Sequence, residues 1–127
     1  MRPVDQTTYG IHDGDCFSAC VASILEISIE DVPLFLGPHG DAFLPWLADR
    51  GLSASLYERR RGDRVPRGFS IAGGPSERFA GRMHACVALD GIVVHDPHPS
   101  RDGLPSGVTE YVVIHGPGRE PMWFSGV

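Results

Sequence analysis

Apolar and polar positions change their spacing partway along the chain. From Cys16 to Ile27 the residues are rich in Ala, Val, Ile and Leu with neither Pro nor Gly, which predicts a largely buried helix with Asp15 as its N-cap and Cys16 in its first turn. Ser28-Ile29-Glu30-Asp31 has the Ser-x-x-acidic form of a capping box and predicts a short helix limited by Pro33 and Gly37-Pro38. A further helix is expected through Phe43, Leu44, Trp46 and Leu47, capped by Asp41, with Pro45 near its tolerant start and Gly51 as its stop.

Past Gly51 the period shortens. Leu52 to Glu58 alternates, Gly68 to Ala72 is a short apolar run, His84 to Leu89 and Ile92 to Asp96 flank Asp90-Gly91, and Thr109 to His115 forms a further strand candidate. Helices first and strands second predict an α+β protein, with N-terminal helices packed on a C-terminal, mostly antiparallel sheet. The expected division is a helical part over about 15–51, a sheet part over about 52–115 and an irregular tail over 116–127, which Met122, Trp123 and Phe124 pin to the core.

Length and composition narrow the possibilities. A chain of 127 residues is long enough for one domain with a real core and too short for two. Its hydrophobic share of 42% and charged share of 21% are those of a soluble globular protein. No apolar run approaches the roughly 20 residues that span a bilayer, and the N-terminus lacks a signal-peptide stretch, so a cytoplasmic address with no membrane partner is expected. The net charge of −5 argues against a nucleic-acid partner, and Arg59-Arg60-Arg61 with Arg64 and Arg67 reads as a solvated loop. Three cysteines, an odd number, without an export signal argue against a disulfide framework and predict at least one free thiol. Oligomeric state is left open.

The chemistry centres on Cys16. A thiol attacks as its thiolate, which a helix N-terminus favours through unpaired N–H groups and the macrodipole. Such a nucleophile needs a base within hydrogen-bond reach and a third group to orient that base. His84 opens one strand and Asp96 closes the next, so the intervening turn decides whether they meet. A two-residue Asp90-Gly91 turn pairs Leu89 with Ile92 and leaves His84 and Asp96 on opposite faces. A three-residue turn with a G1 bulge at Gly91 pairs Ala88 with Ile92 and sets His84 directly opposite Asp96. The second register is the expected one. Acyl transfer also needs donors for a developing oxyanion. The Cys16 backbone N–H supplies one, and Gln6, the only Gln or Asn in the chain, is the candidate for the other.

Gln6 followed by Gly14-Asp15-Cys16-Phe17-Ser18-Ala19-Cys20-Val21-Ala22-Ser23 resembles the nucleophile segment of papain-like cysteine peptidases, with the compact bacterial and phage-type members, including bacteriocin-leader peptidases, as the nearest likeness. His84-Ala85-Cys86-Val87-Ala88-Leu89-Asp90-Gly91-Ile92-Val93-Val94-His95-Asp96-Pro97 resembles their His-strand, turn and Asp-Pro segment. The resemblance covers most of residues 6–104. It implies a papain-like fold, with Cys16 as nucleophile, His84 as base, Asp96 as orienter and Gln6 as oxyanion donor. It implies no cofactor, and a peptide or other amide-containing substrate. Gln6 stands farther from Cys16 than is usual in leader peptidases, and Asp13 and Asp15 beside the nucleophile disfavour its thiolate unless they point away or His84 is protonated.

The same scaffold serves acyl transferases, deamidases and inactive binding modules. A binder would present Trp46, Phe43 or Trp123 at its cleft. A metal site drawing on Cys16, His84, His95, Asp96, His98 and His12 is the other rival. The chain has no Cys-x-x-Cys or His-x-x-x-His pair, so no metal is expected, and His95 and His98 read as residues shaping a loop at the cleft edge. The cleft walls are expected from the 59–67 and 97–107 loops and the helix near Trp46.

Overall fold

The computed structural model describes residues 1–10, 14–40, 42–59, 65–116 and 123–124. Helix α1 (Cys16–Leu25) forms where the uninterrupted apolar stretch lies, and it stops at Glu26, whose left-handed backbone (φ 58°) directs its N–H to the Ala22 carbonyl. Ser28 then caps a single 3-10 turn, Ile29–Asp31, by accepting from the Glu30 N–H. Helix α2 is short, Phe43–Ala48, and starts after Ala42; the expected cap, Asp41, lies outside the described residues. Trp46 packs edge-on against Phe35, and the Arg50 guanidinium lies over its indole at 4.5 Å.

The strands are β1 (Ser53–Glu58), β2 (Val65–Pro66), β3 (Phe69–Pro75), β4 (Met83–Leu89), β5 (Ile92–His95), β6 (Glu110–His115) and β7 (Trp123–Phe124). Five of them form one antiparallel sheet in the order β1-β6-β3-β4-β5. The protein is therefore α+β, with N-terminal helices on a five-stranded antiparallel sheet. Alternation divides the two faces. Ile71, Ala85, Val87 and Val112 join Phe17, Cys20, Val21 and Ala22 of α1 and Phe35, Phe43 and Leu47 in the main core. Ala72, Ala88 and Tyr111 meet Val65, Val93, Leu104 and Val108 on the other side. Among the described residues no helix is long and apolar enough to cross a membrane.

Three expectations need correction. The tail is not wholly irregular, because Phe124 and Trp123 pair with Val65 and Pro66; a two-residue ladder is too short for alternation to reveal. Met122 lies outside the described residues. Strand β3 runs on through Gly73-Gly74-Pro75, beyond the apolar run, because these positions lie against neighbouring chain. A Cβ on Gly74 would overlap the Gly107 carbonyl oxygen, so glycine is what allows the 103–109 segment to lie on the strand.

The third correction concerns the β4–β5 hairpin. Its turn is the two-residue Asp90-Gly91 form, both residues at positive φ (52° and 82°), with Leu89 opposite Ile92 and Ala88 opposite Val93. The register then slips, and Val87 pairs with His95. Val94 is the extra residue, and the bulge sits in the strand rather than at the turn. This one-residue insertion restores the face that the tight turn would have lost, bringing Asp96 alongside Cys86 and onto the side of the hairpin that carries His84.

Candidate active site

Cys16 is the first residue of α1, half-buried, while Cys20 and Cys86 are fully buried. The loop before it closes tightly. The Gly14 N–H donates to the Gly10 carbonyl at 2.9 Å, and a Cβ on Gly14 would stand 2.8 Å from that same oxygen. Close approach, not an unusual φ, is what calls for glycine here. Asp15 does not cap α1 with its side chain. The loop curls back so that the Thr7 and Thr8 N–H groups and the Thr7 hydroxyl meet its carboxylate, at 2.6 to 3.2 Å. Its charge is thus spent on the 7–8 segment. Asp13 and His12 lie outside the described residues.

His84 and Asp96 are both buried, and the His84 Nε2–H donates to Asp96 Oδ1 at 2.7 Å. Two backbone donors hold the carboxylate from further sides, and a third contact holds the residue's backbone. The His98 N–H donates to Oδ1 at 2.9 Å, the Gly103 N–H to Oδ2 at 2.8 Å, and the Arg101 guanidinium to the Asp96 carbonyl. Arg101 also forks onto both oxygens of Asp5, at 2.6 and 2.8 Å. The His95 ring donates to the Val4 carbonyl at 2.9 Å, and the Gln6 N–H donates to the Pro97 carbonyl at 3.0 Å. Together these contacts lay residues 4–6 along the Asp96 loop and carry Gln6 into the cleft.

Burial opposes charge on both members of the pair, and in both it is outweighed. For His84 the Asp96 hydrogen bond, followed by those of the Cys16 and Cys86 sulfurs, holds the imidazole pKa well above its ordinary value. For Asp96 the His84 bond and the two backbone N–H donors hold the carboxyl far below its ordinary value. The pair is an imidazolium and a carboxylate. Burial pushes the Cys20 and Cys86 thiols upward, with His84 partly offsetting the effect at Cys86.

Cys16 and His84 line two adjoining clefts. One is walled by Phe17, Leu36, Pro38, Ile71 and Val112, with Glu110 and His39 also on its lining. The other is more polar and is lined by Gln6, Tyr9, Ser76, Arg78, Arg82 and His98, among others. The walls therefore come largely from the 36–39 and 76–83 segments, which sequence reasoning missed because neither carries a periodic signal. Trp46 and Phe43 belong to the core instead. Of the 59–67 loop, residues 60–64 lie outside the description, and the Arg59 guanidinium donates to the Tyr111 hydroxyl. The 97–107 loop contributes His98, whose ring stands edge-on to those of Tyr9 and His84. His95 turns away toward Val4.

Gln6 lies in the second cleft with Cys16 and His84. Its Nε2 donates to the Thr8 carbonyl at 3.1 Å, leaving one N–H of the amide for another acceptor, and its buried Oε1 has no partner among the described residues. Cys86 was not singled out from the sequence, yet its sulfur, a His84 ring nitrogen and an Asp96 oxygen all lie within 4.8 Å of one another. The alternation of β4 places Cys86 two residues from His84 on the same face, and that pattern was the available signal. These three side chains are of metal-ligating type, and in the structure His84 Nε2 and Asp96 Oδ1 are engaged with each other.

An α+β protein with a buried His–Asp pair facing a cysteine at a helix tip is the class that fold and site define. Compared with protein-family models, curated proteins and solved structures, the chain matches none.

Proposed function

We propose that the protein is a thiol hydrolase of papain-like type, acting on an amide, peptide or isopeptide bond through Cys16, His84 and Asp96. The observation that carries this reading is the 2.7 Å His84–Asp96 bond on a ring that shares both clefts with the half-buried Cys16. Asp96 occupies Nε2, so Nδ1 is the nitrogen left to serve the sulfur. The Cys16 thiolate adds to the carbonyl carbon and the C=O electron pair moves to oxygen. The Cys16 N–H, which has no acceptor within the helix, and Gln6 Nε2 stabilise that oxygen. His84 passes its Nδ1 proton to the amide nitrogen as the C–N bond breaks, leaving a thioester and a free amine. Water then loses a proton to His84 and adds to the thioester, the C–S bond breaks, and the thiolate and imidazolium are restored.

The contacts of Thr7 and Thr8 with the Asp15 carboxylate support the reading, since Asp15 does not stand free beside the sulfur; Asp13 lies outside the described residues. The reaction needs a reduced Cys16, in keeping with the cytoplasmic address expected for the chain. The test is covalent capture by an electrophilic acyl probe, read by peptide mapping. Cys16 carries the adduct before Cys20 and Cys86 in the native protein, and Cys16→Ala abolishes capture. Undiminished capture in Cys16→Ala rejects the assignment.

A further inference from the structure

Glu110 is the feature of the cleft that the hydrolytic mechanism leaves unused. It opens β6 on the face toward α1, paired across the sheet with Gly73, and its side chain is 26% exposed. Among the described residues its carboxylate has one ion-pair partner, the Nε2 of the exposed His39 at 4.0 Å, and Glu58 stands opposite Glu110 across the β1–β6 ladder. The side chain is seated deliberately low. A Cβ on Gly73 would lie 2.9 Å from both Glu110 Cγ and Oε1, so only glycine at that position lets the carboxylate lie flat over β3. Around it the lining is mostly apolar, from Phe17, Leu36, Pro38, Ile71, Met83 and Val112, with His39, Cys16 and His84 on the same cleft.

A carboxylate set among apolar walls is costly unless something charged or hydrogen-bonding completes it. The matching ligand has a hydrocarbon stem to lie along those walls and a cation at its end. A guanidinium fits best, because its planar fork meets both carboxylate oxygens. We propose that this cleft is a specificity pocket for a basic side chain, arginine before lysine, next to the bond that Cys16 attacks. The inference rests on the hydrolase reading for its role in turnover but not for the binding itself.

The two are separable by experiment. N-acetyl-argininamide and N-acetyl-citrullinamide have side chains of nearly the same size and differ in charge, and their binding to the Cys16→Ala protein is followed by NMR titration. The arginine compound binds about tenfold more tightly, the scale of one charge-assisted contact, and Glu110→Gln, which keeps the shape, removes the difference. Equal binding of the two, binding of neither, or a preference that persists in Glu110→Gln overturns the pocket. Matched arylamide substrates of the wild-type protein supply the second arm, in which kcat/KM follows the same order. If no arylamide is turned over while the arginine preference in binding holds, the hydrolase reading has failed and the pocket stands.

Discussion

At the scale of single residues, His84 is the most consequential side chain, because its charge is set by what surrounds it. Its pKa is raised to about 11 from 6.5, and that of Asp96 is depressed below 3.8. The signs fix a pH window. A raised imidazole pKa contributes stability that is complete below 6.5 and is lost as the pH climbs toward 11. A depressed carboxyl pKa contributes stability present above 3.8 and lost in more acidic solution. Asp96→Asn keeps the shape and removes the charge, and it should cost roughly 3–5 kcal/mol, as breaking a buried pair does. Thermal melts across pH check this: the gap between wild type and variant is widest between pH 3.8 and 6.5 and narrows on both sides. A gap independent of pH would mean that the pair is not ionised. Gln6, Cys16, His84 and Asp96 were all legible as candidates from residue type and chain order. Cys86 and Glu110 were not, since a cysteine inside an apolar strand and a glutamate at a strand start have bland readings until a neighbour is placed beside them.

At the scale of elements, the β4–β5 hairpin carries the site. The sequence reading needed a bulge to bring His84 and Asp96 together and placed it at Gly91, where glycine makes a bulge easy. The structure puts it at Val94, after a tight turn, so that Asp96 lies beside Cys86 instead of directly opposite His84 and still reaches the His84 ring at 2.7 Å. Turn chemistry is local and readable from Asp90-Gly91, whereas a bulge within a strand depends on what pins the far end. Here that end is pinned by the His95 bond to the Val4 carbonyl and by the donors around Asp96. Deleting Val94, which is 49% exposed, removes the inserted residue without opening the core. Val87 still faces His95 and Cys86 still faces Asp96 in the straightened ladder, so the variant is expected to fold, as judged by circular dichroism, and to keep Cys16 capture and the pH-dependent stability gap. Lost capture would show that the shape of the bulge itself, and not the face it restores, is what brings Asp96 to His84. The helices were read well where apolar runs were long, as in α1, and poorly where caps decided, because the Asp15 carboxylate serves the preceding loop instead of the helix.

At the scale of the molecule, the site is assembled from four separate stretches: the strap at residues 4–6, the tip of α1, the start of β4 and the loop after β5. Arg101 clips the first of these to the last through Asp5 and the Asp96 carbonyl, which is how residues some ninety positions apart share one cleft. The order of helices and strands revealed the α+β class, since periodicity survives without knowledge of partners. The strand order, with β6 inserted between β1 and β3, and the walls of the cleft are tertiary outcomes that no local pattern encodes. The central claim, that Cys16, His84 and Asp96 act as one hydrolytic unit, is tested most directly by mixing the protein with a peptide thioester and following intact mass with time. An acyl adduct on Cys16 that forms and then decays, with both steps slowed on the order of 10²–10⁴-fold in His84→Ala, is the expected result. An adduct on Cys20 or Cys86, or acylation of Cys16 that proceeds equally fast without His84, would contradict it.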